Sequence, residues 1–358
     1  SRTIPRCMAT QHPDNVLMPF FATGQVIRGE EEVKEAYYSF SHLGCDEQMW
    51  DYEGKEVDGQ VVLKLLTGYP YFFRENVLGK DLFLTLRIPN PSIEKEMRKV
   101  LVETLEGIPR SYDIATSFYG NSIPPIFEVI LPMTTSARDL NRVYHYYRGF
   151  VAGKEGHRLG YDDIFIWEWV GKFLPQEIQV IPLVEDLPYI LRAARIVEDY
   201  AWGKQLPYIR VFLARSDPAL NYGMVSAALA NKVALYRLHE LETRLGIPIY
   251  PILGAGTPPF RGNLRPGRIK RFLQEFPSAH TFTIQSSFRY DYPTIEAQQA
   301  IAELRESPTG EPSPIEEGRA QEIMDRCSKE YRKQGVALAG MVNRVAALVP
   351  ARRDRRLH

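Results

Sequence analysis

The chain has 358 residues, 44% hydrophobic and 25% charged, and its 44 lysines and arginines are balanced by 44 aspartates and glutamates. That composition supports a packed core and excludes wholesale disorder, while zero net charge argues against nucleic acid as the main partner. No apolar run approaches the roughly 18 residues of a membrane span, and the opening SRTIPRCMATQHPDN has no signal-peptide core, so a cytoplasmic protein without a membrane partner is expected. Cys7, Cys45 and Cys327 are too few and too scattered for a disulfide framework or a CxxC metal site, which suits a reducing compartment.

In chain order, the strand candidates begin with a weakly apolar one, Glu47–Tyr52. They continue with Asp81–Ile88 (DLFLTLRI), Ile126–Met133 (IFEVILPM), Ile178–Glu185 (IQVIPLVE), Ile209–Ala214 (IRVFLA), Ile247–Leu253 (IPIYPIL) and Ala279–Gln285 (AHTFTIQ). Near-continuous apolarity in such short runs marks strands buried on both faces of a parallel sheet. A helix is expected to start at Pro91-Ser92 and to stop at Gly107 and Pro109. Others are expected over Tyr222–Leu245, Pro266–Phe276 and Pro293–Arg305, the last two opening on proline, whose missing N–H is harmless in a first turn. Ser307–Glu317 (SPTGEPSPIEE) reads as a linker, Gly318–Leu348 as helical, and the basic end ARRDRRLH as solvated.

Alternating strand and helix predicts a βα array. Most strands end in polar residues followed by turn chemistry: Arg87, Glu185-Asp186, Arg215-Ser216-Asp217, Gly254-Ala255-Gly256 and Gln285-Ser286. This favours a TIM-type (β/α)8 barrel, in the α/β class, over a doubly wound sheet. The expected organisation is one catalytic barrel domain over residues 1–358. Within it, 1–45 is an N-terminal segment with a histidine loop, 46–292 holds the βα units, and 293–358 is linker and helical segment.

Glu185 and Asp217 close successive strands, and two carboxylates on one rim can hold Mg²⁺ or Mn²⁺ with positions left for substrate oxygens. The alternative is that they cap helices or pair with arginines. The loop GAGTPPFRGN, residues 254–263, lets backbone approach a ligand, and its Arg261 can grip an anion. Arg87 and Arg215 end apolar runs and need an anionic neighbour, either a ligand or Glu185 and Asp217 themselves. His12, in Thr10-Gln11-His12-Pro13-Asp14-Asn15, is the most unusual of seven histidines, lying in a polar loop rather than on an apolar face. The cluster Tyr144, Tyr146, Tyr147 and Phe150 has helical spacing and reads as core.

The strings IPRCMATQHPDN, SHLGCDEQMWDYEGKEVD, LRIPNP, IPRSYD, FEVILPM, VIPLVED, VFLARSDPALNYG, GAGTPPFRGNLRP and FTIQSSFRYD follow one another from Ile4 to about Tyr292. Together they resemble phosphoenolpyruvate carboxylase in its shorter archaeal form. The resemblance implies carboxylation of phosphoenolpyruvate with bicarbonate to oxaloacetate and phosphate, with Mg²⁺ or Mn²⁺, in a homotetramer. It assigns His12 to the family's proton-handling histidine, Glu185 and Asp217 to the metal, Arg87 and Arg261 to catalysis, and Arg215, Gln285 and Lys55 to substrate. Asp51 is a further candidate in the acidic loop that holds Lys55. The lysine, histidine and Gly-loop arginine of the larger enzymes fall on Leu220, Leu253 and Ala255, leaving Arg215 to supply the missing lysine's charge. Family members run on beyond ARRDRRLH, and only seven strand candidates are present. The expectation is therefore a barrel lacking its C-terminal part and its eighth strand. Two other readings remain at this stage: another Mg²⁺-dependent barrel lyase or aldolase acting on pyruvate or phosphoenolpyruvate, and a non-catalytic homologue.

Overall fold

Side chains alternate in strands with period two, so each buried strand presents one set to a barrel's interior and one to its surrounding helices. The computed structural model, which describes residues 3–52 and 57–353, realises that pattern in a closed parallel barrel of eight strands in chain order. They are β1 (Cys7–Ala9), β2 (Glu47–Asp51), β3 (Phe83–Arg87), β4 (Glu128–Leu131), β5 (Gln179–Val184), β6 (Ile209–Ala214), β7 (Ile249–Gly254) and β8 (Thr281–Ile284). Met8, Met49, Ile130, Ile181, Leu183, Phe212, Ala214 and Ile252 fill the interior. Other strand residues pack outward: Cys7, Ala9, Leu213, Leu253 and Phe282 under one group of helices, and Trp50, Leu84, Leu86 and Val129 under another.

The expectation of a barrel missing its eighth strand is corrected here. The uncounted strand is β1, three residues long, which pairs Met8 with Glu47 of β2 and Cys7 with Phe282 of β8. The barrel therefore begins at Cys7, well ahead of residue 46, and closes without any strand beyond the described residues. The expected stop at Gly107 and Pro109 is also corrected: the helix Arg98–Tyr119 runs through both and ends at Gly120, whose φ of 70° suits glycine. Proline at 109 removes one N–H from the ladder, but Leu105, Ile108, Pro109 and Tyr112 are all buried on that face, and this burial offsets the loss.

An ionic layer closes the amino-terminal end of the barrel. Arg210 of β6 donates to Glu47 of β2 at 2.8 Å through each of two nitrogens, to Glu128 of β4 at 2.9 Å, and to Thr281 of β8 at 3.1 Å. Thr85 and Tyr208 donate to the same two glutamates, at 2.5 and 2.7 Å. Burial alone favours a neutral guanidine, but the two carboxylates outweigh it and hold Arg210 charged.

The helix Glu317–Ala346 packs Ala320 and Met324 against the helix Met224–Leu245, and Tyr331 donates to the Leu220 carbonyl at 2.7 Å. After that helix the chain returns to the N-terminal segment, where the N–H of Ile27 donates to the Arg352 carbonyl at 2.9 Å. The basic end is thus not uniformly solvated. Arg353 is buried, because Glu35 on the helix Glu30–Ser41 offers it a buried carboxylate. No helix among the described residues is long and apolar enough to cross a membrane.

Candidate active site

Period two also dictates what reaches the carboxyl-terminal mouth. Met49, Thr85, Leu183 and Thr283 point into the barrel, so the residues two further on, Asp51, Arg87, Glu185 and Gln285, emerge at its rim. Asp51 and Arg87 sit opposite each other in the β2–β3 register and form a bidentate pair at 2.9 and 2.8 Å. Asp51 is thus an anionic neighbour of Arg87. Glu185 follows β5 directly and accepts a hydrogen bond from the Met133 backbone N–H. Met133 has φ of 51°, a left-handed conformation uncommon outside glycine, and Asn90 steadies that turn by donating to the Pro132 carbonyl at 2.8 Å. Nothing in the string Pro132-Met133-Thr134 signals this.

Asp217 is exposed in the first turn of the short helix Ser216–Tyr222 after β6, a position where an acid also complements a helix dipole. Arg215 follows the same strand directly, is buried, and donates to the Phe260 carbonyl at 3.1 Å rather than to Glu185 or Asp217. Arg261 sits in the turn Pro259–Arg261 after β7 and donates to Gln285 Oε1 at 3.2 Å. Gly256 makes that contact possible: a Cβ there would lie 2.2 Å from Gln285 Oε1 and 3.0 Å from Arg261 Cδ. Burial lowers the pKa of both arginines, opposed at Arg261 by Asp14 and then Asp217, and at Arg215 by Glu275. The Nε atoms of Arg215 and Arg261 are buried with no hydrogen-bonding partner among the described residues. Two such donors beside a glycine loop are suited to an anion.

His12 lies half-buried just after β1, in a loop tied to both neighbouring strands. The Thr10 N–H donates to the Ile284 carbonyl at 3.1 Å, the Asp51 N–H to Gln11 Oε1 at 2.9 Å, and the Ser287 N–H to Asp14 Oδ1 at 2.7 Å. Sequence reasoning missed Gln11 and Asp14 as supports, although both flank the histidine in TQHPDN. Burial raises the Asp14 pKa, against the Ser287 hydrogen bond and the charges of Arg261 and Arg289.

The mouth thus gathers His12, Asp51, Arg87, Glu185, Arg215, Asp217, Arg261 and Gln285 from seven strand ends. Lys55 lies outside the described residues. No group of three or more histidine, cysteine, aspartate or glutamate side chains able to hold a metal occurs among the described residues. Glu185 and Asp217 are nonetheless a pair of hard oxygen donors at the ends of hydrogen-bonded strands. One or two carboxylates, completed by substrate oxygens and water, are what Mg²⁺ ordinarily takes, so the donor set fits such an ion. Of the aromatic cluster, Tyr144 and Tyr147 are core, while Phe150 is exposed.

A family model described as phosphoenolpyruvate carboxylase matches residues 4–358. A protein of that name from Methanothermobacter thermautotrophicus is 54% identical over 355 residues, which is 99% of this chain and 73% of that protein. Another, from Methanospirillum hungatei, matches with the same identity and coverage. A third, from Pyrococcus furiosus, is 50% identical over 99% of this chain and 75% of its own length.

Proposed function

Since the chain belongs to the phosphoenolpyruvate carboxylase family, we propose that it joins phosphoenolpyruvate and bicarbonate to give oxaloacetate and phosphate at the barrel mouth. One bicarbonate oxygen attacks phosphorus, the bond from phosphorus to the enol oxygen breaks, and carboxyphosphate and pyruvate enolate result. Carboxyphosphate then releases CO₂ to phosphate, and the enolate carbon attacks CO₂. The observation that carries this reading is the histidine loop strapped between β2 and β8, which sets His12 at the same rim as Arg261 and Glu185.

Arg261 and Arg215, whose Nε donors have no partner among the described residues, neutralise phosphoryl charge as it shifts, the main contribution a protein makes to phosphoryl transfer. Arg87, held by Asp51, adds a third cation at the ends of β2 and β3. Gln285 orients Arg261. His12 accepts the carboxyphosphate proton and so promotes loss of CO₂, a task for which imidazole is the commonest side chain. Glu185 and Asp217 would hold the divalent ion, Mg²⁺ or Mn²⁺, which when bound supplies positive charge to the enolate oxygen. Residues 1–358 acting as one catalytic domain, a homotetrameric assembly and a cytoplasmic location complete the proposal.

The test is a coupled assay of oxaloacetate formed from phosphoenolpyruvate, bicarbonate and Mg²⁺. Oxaloacetate that requires all three is expected. Pyruvate as the only product would favour a lyase of another kind, and no reaction would favour a non-catalytic homologue. In the same assay Gly256→Ala, whose Cβ displaces the Gln285–Arg261 contact, is expected to raise KM for phosphoenolpyruvate about tenfold, the loss of about one charge-assisted hydrogen bond.

A further inference from the structure

The carbonyl of Thr10, two residues before His12, is gripped from beneath by a buried ionic chain. Arg289, 1% exposed, donates to that carbonyl and, at 2.8 Å, to Ser39 Oγ. The same Arg289 nitrogen that holds Thr10 stands 3.5 Å from Glu35 Oε2, beyond a close pair. Glu35 is fully buried, and its nearer cation is Arg353, whose Nη2 contacts both carboxylate oxygens at 2.8 and 2.7 Å across 318 residues of sequence. Tyr290 adds a hydroxyl donor to Glu35 at 2.5 Å, and Glu32 lies 3.9 Å from the other Arg353 nitrogen.

Two guanidinium groups therefore compete for one buried carboxylate. A buried carboxylate left with one arginine draws that arginine into a bidentate pair, because no water is available to compensate it. With Arg353 on Glu35, Arg289 remains on the Thr10 carbonyl. Without Arg353, Arg289 would swing fully onto Glu35 and release the loop. We propose that Arg353 is a positioning residue for His12, acting through Glu35 and Arg289 on the Thr10 carbonyl. The inference rests on the reading of His12 given above, and it adds a control on the active-site loop exerted across 318 residues of sequence.

Arg353→Met and Arg353→Lys test it, with hydrogen exchange of a peptide covering residues 8–17 measured beside the kinetics. For Arg353→Met, kcat should fall about tenfold with KM for phosphoenolpyruvate within about twofold, and exchange in 8–17 should quicken about tenfold while β6 and β7 keep their protection. Lysine keeps the charge but not the fork, so Arg353→Lys should lose no more than about threefold in kcat. Unchanged exchange in 8–17, or a kcat that falls only in step with lost folded protein, overturns the proposal. If Arg353→Met does not fold, exchange in Arg353→Gln, which also removes the charge, decides: selective quickening of 8–17 supports the relay, and uniform or unchanged exchange refutes it. His12→Asn separates the two ideas. Full activity in that variant sinks the reading of His12, whereas exchange in 8–17 still judges the relay.

Discussion

Arg210→Met is expected to destabilise the protein by about 3–5 kcal/mol, the range seen when one partner of a buried ion pair is removed. Glu47 and Glu128 have essentially no exposure, and both take their charge compensation from this guanidinium inside the barrel. Methionine fills most of the space but leaves two carboxylates in an apolar layer with, among the described residues, the Thr85 and Tyr208 hydroxyls as donors. Because a whole domain is stable by only about 5–15 kcal/mol, the variant should melt far below the parent or accumulate as insoluble protein. Urea titration measures it. An unfolding free energy within about 1 kcal/mol of the parent would mean that the layer is not the closed network described. The triple change Glu47→Gln, Glu128→Gln, Arg210→Met should be less damaging than Arg210→Met alone, since it removes the uncompensated charges together.

His12→Asn is expected to lower kcat for oxaloacetate formation by about 10²–10⁴, the usual worth of a positioned acid–base group. Stability should change little, because bonds from Thr10, Gln11 and Asp14 tie the loop to its neighbours on both sides of the histidine. KM for phosphoenolpyruvate should stay within about threefold, as the phosphoryl contacts are assigned to arginines on other strands. His12 is placed after carboxyphosphate formation, so phosphate release should outlast oxaloacetate formation in this variant, with pyruvate appearing instead. Loss of both products in equal measure would move the histidine to the phosphoryl-transfer step.

The pattern of strands was readable wherever a strand is buried on both faces, since β3 to β8 need apolar residues at nearly every position. β1 was not readable: Cys-Met-Ala has neither the length nor the β-branched character that signals a strand, and closure of the barrel alone places it. Rim residues were readable for the same reason as the strands, because a charge ending an apolar run has to lie at the mouth. Their partners were not. The Asp51–Arg87 pair depends on sheet register, the Met133 N–H on a left-handed turn, and the Arg353–Glu35 contact on a return of the chain across 318 positions. Pro109 shows the opposite failure, a strong local stop signal overruled by burial of the face it lies on.

The most direct test of the central claim follows ¹⁸O from labelled bicarbonate. With phosphoenolpyruvate and Mg²⁺ present, the account predicts one labelled oxygen in each phosphate released and the remainder in oxaloacetate, because a bicarbonate oxygen forms the new bond to phosphorus. Unlabelled phosphate, with water supplying the oxygen, would contradict it.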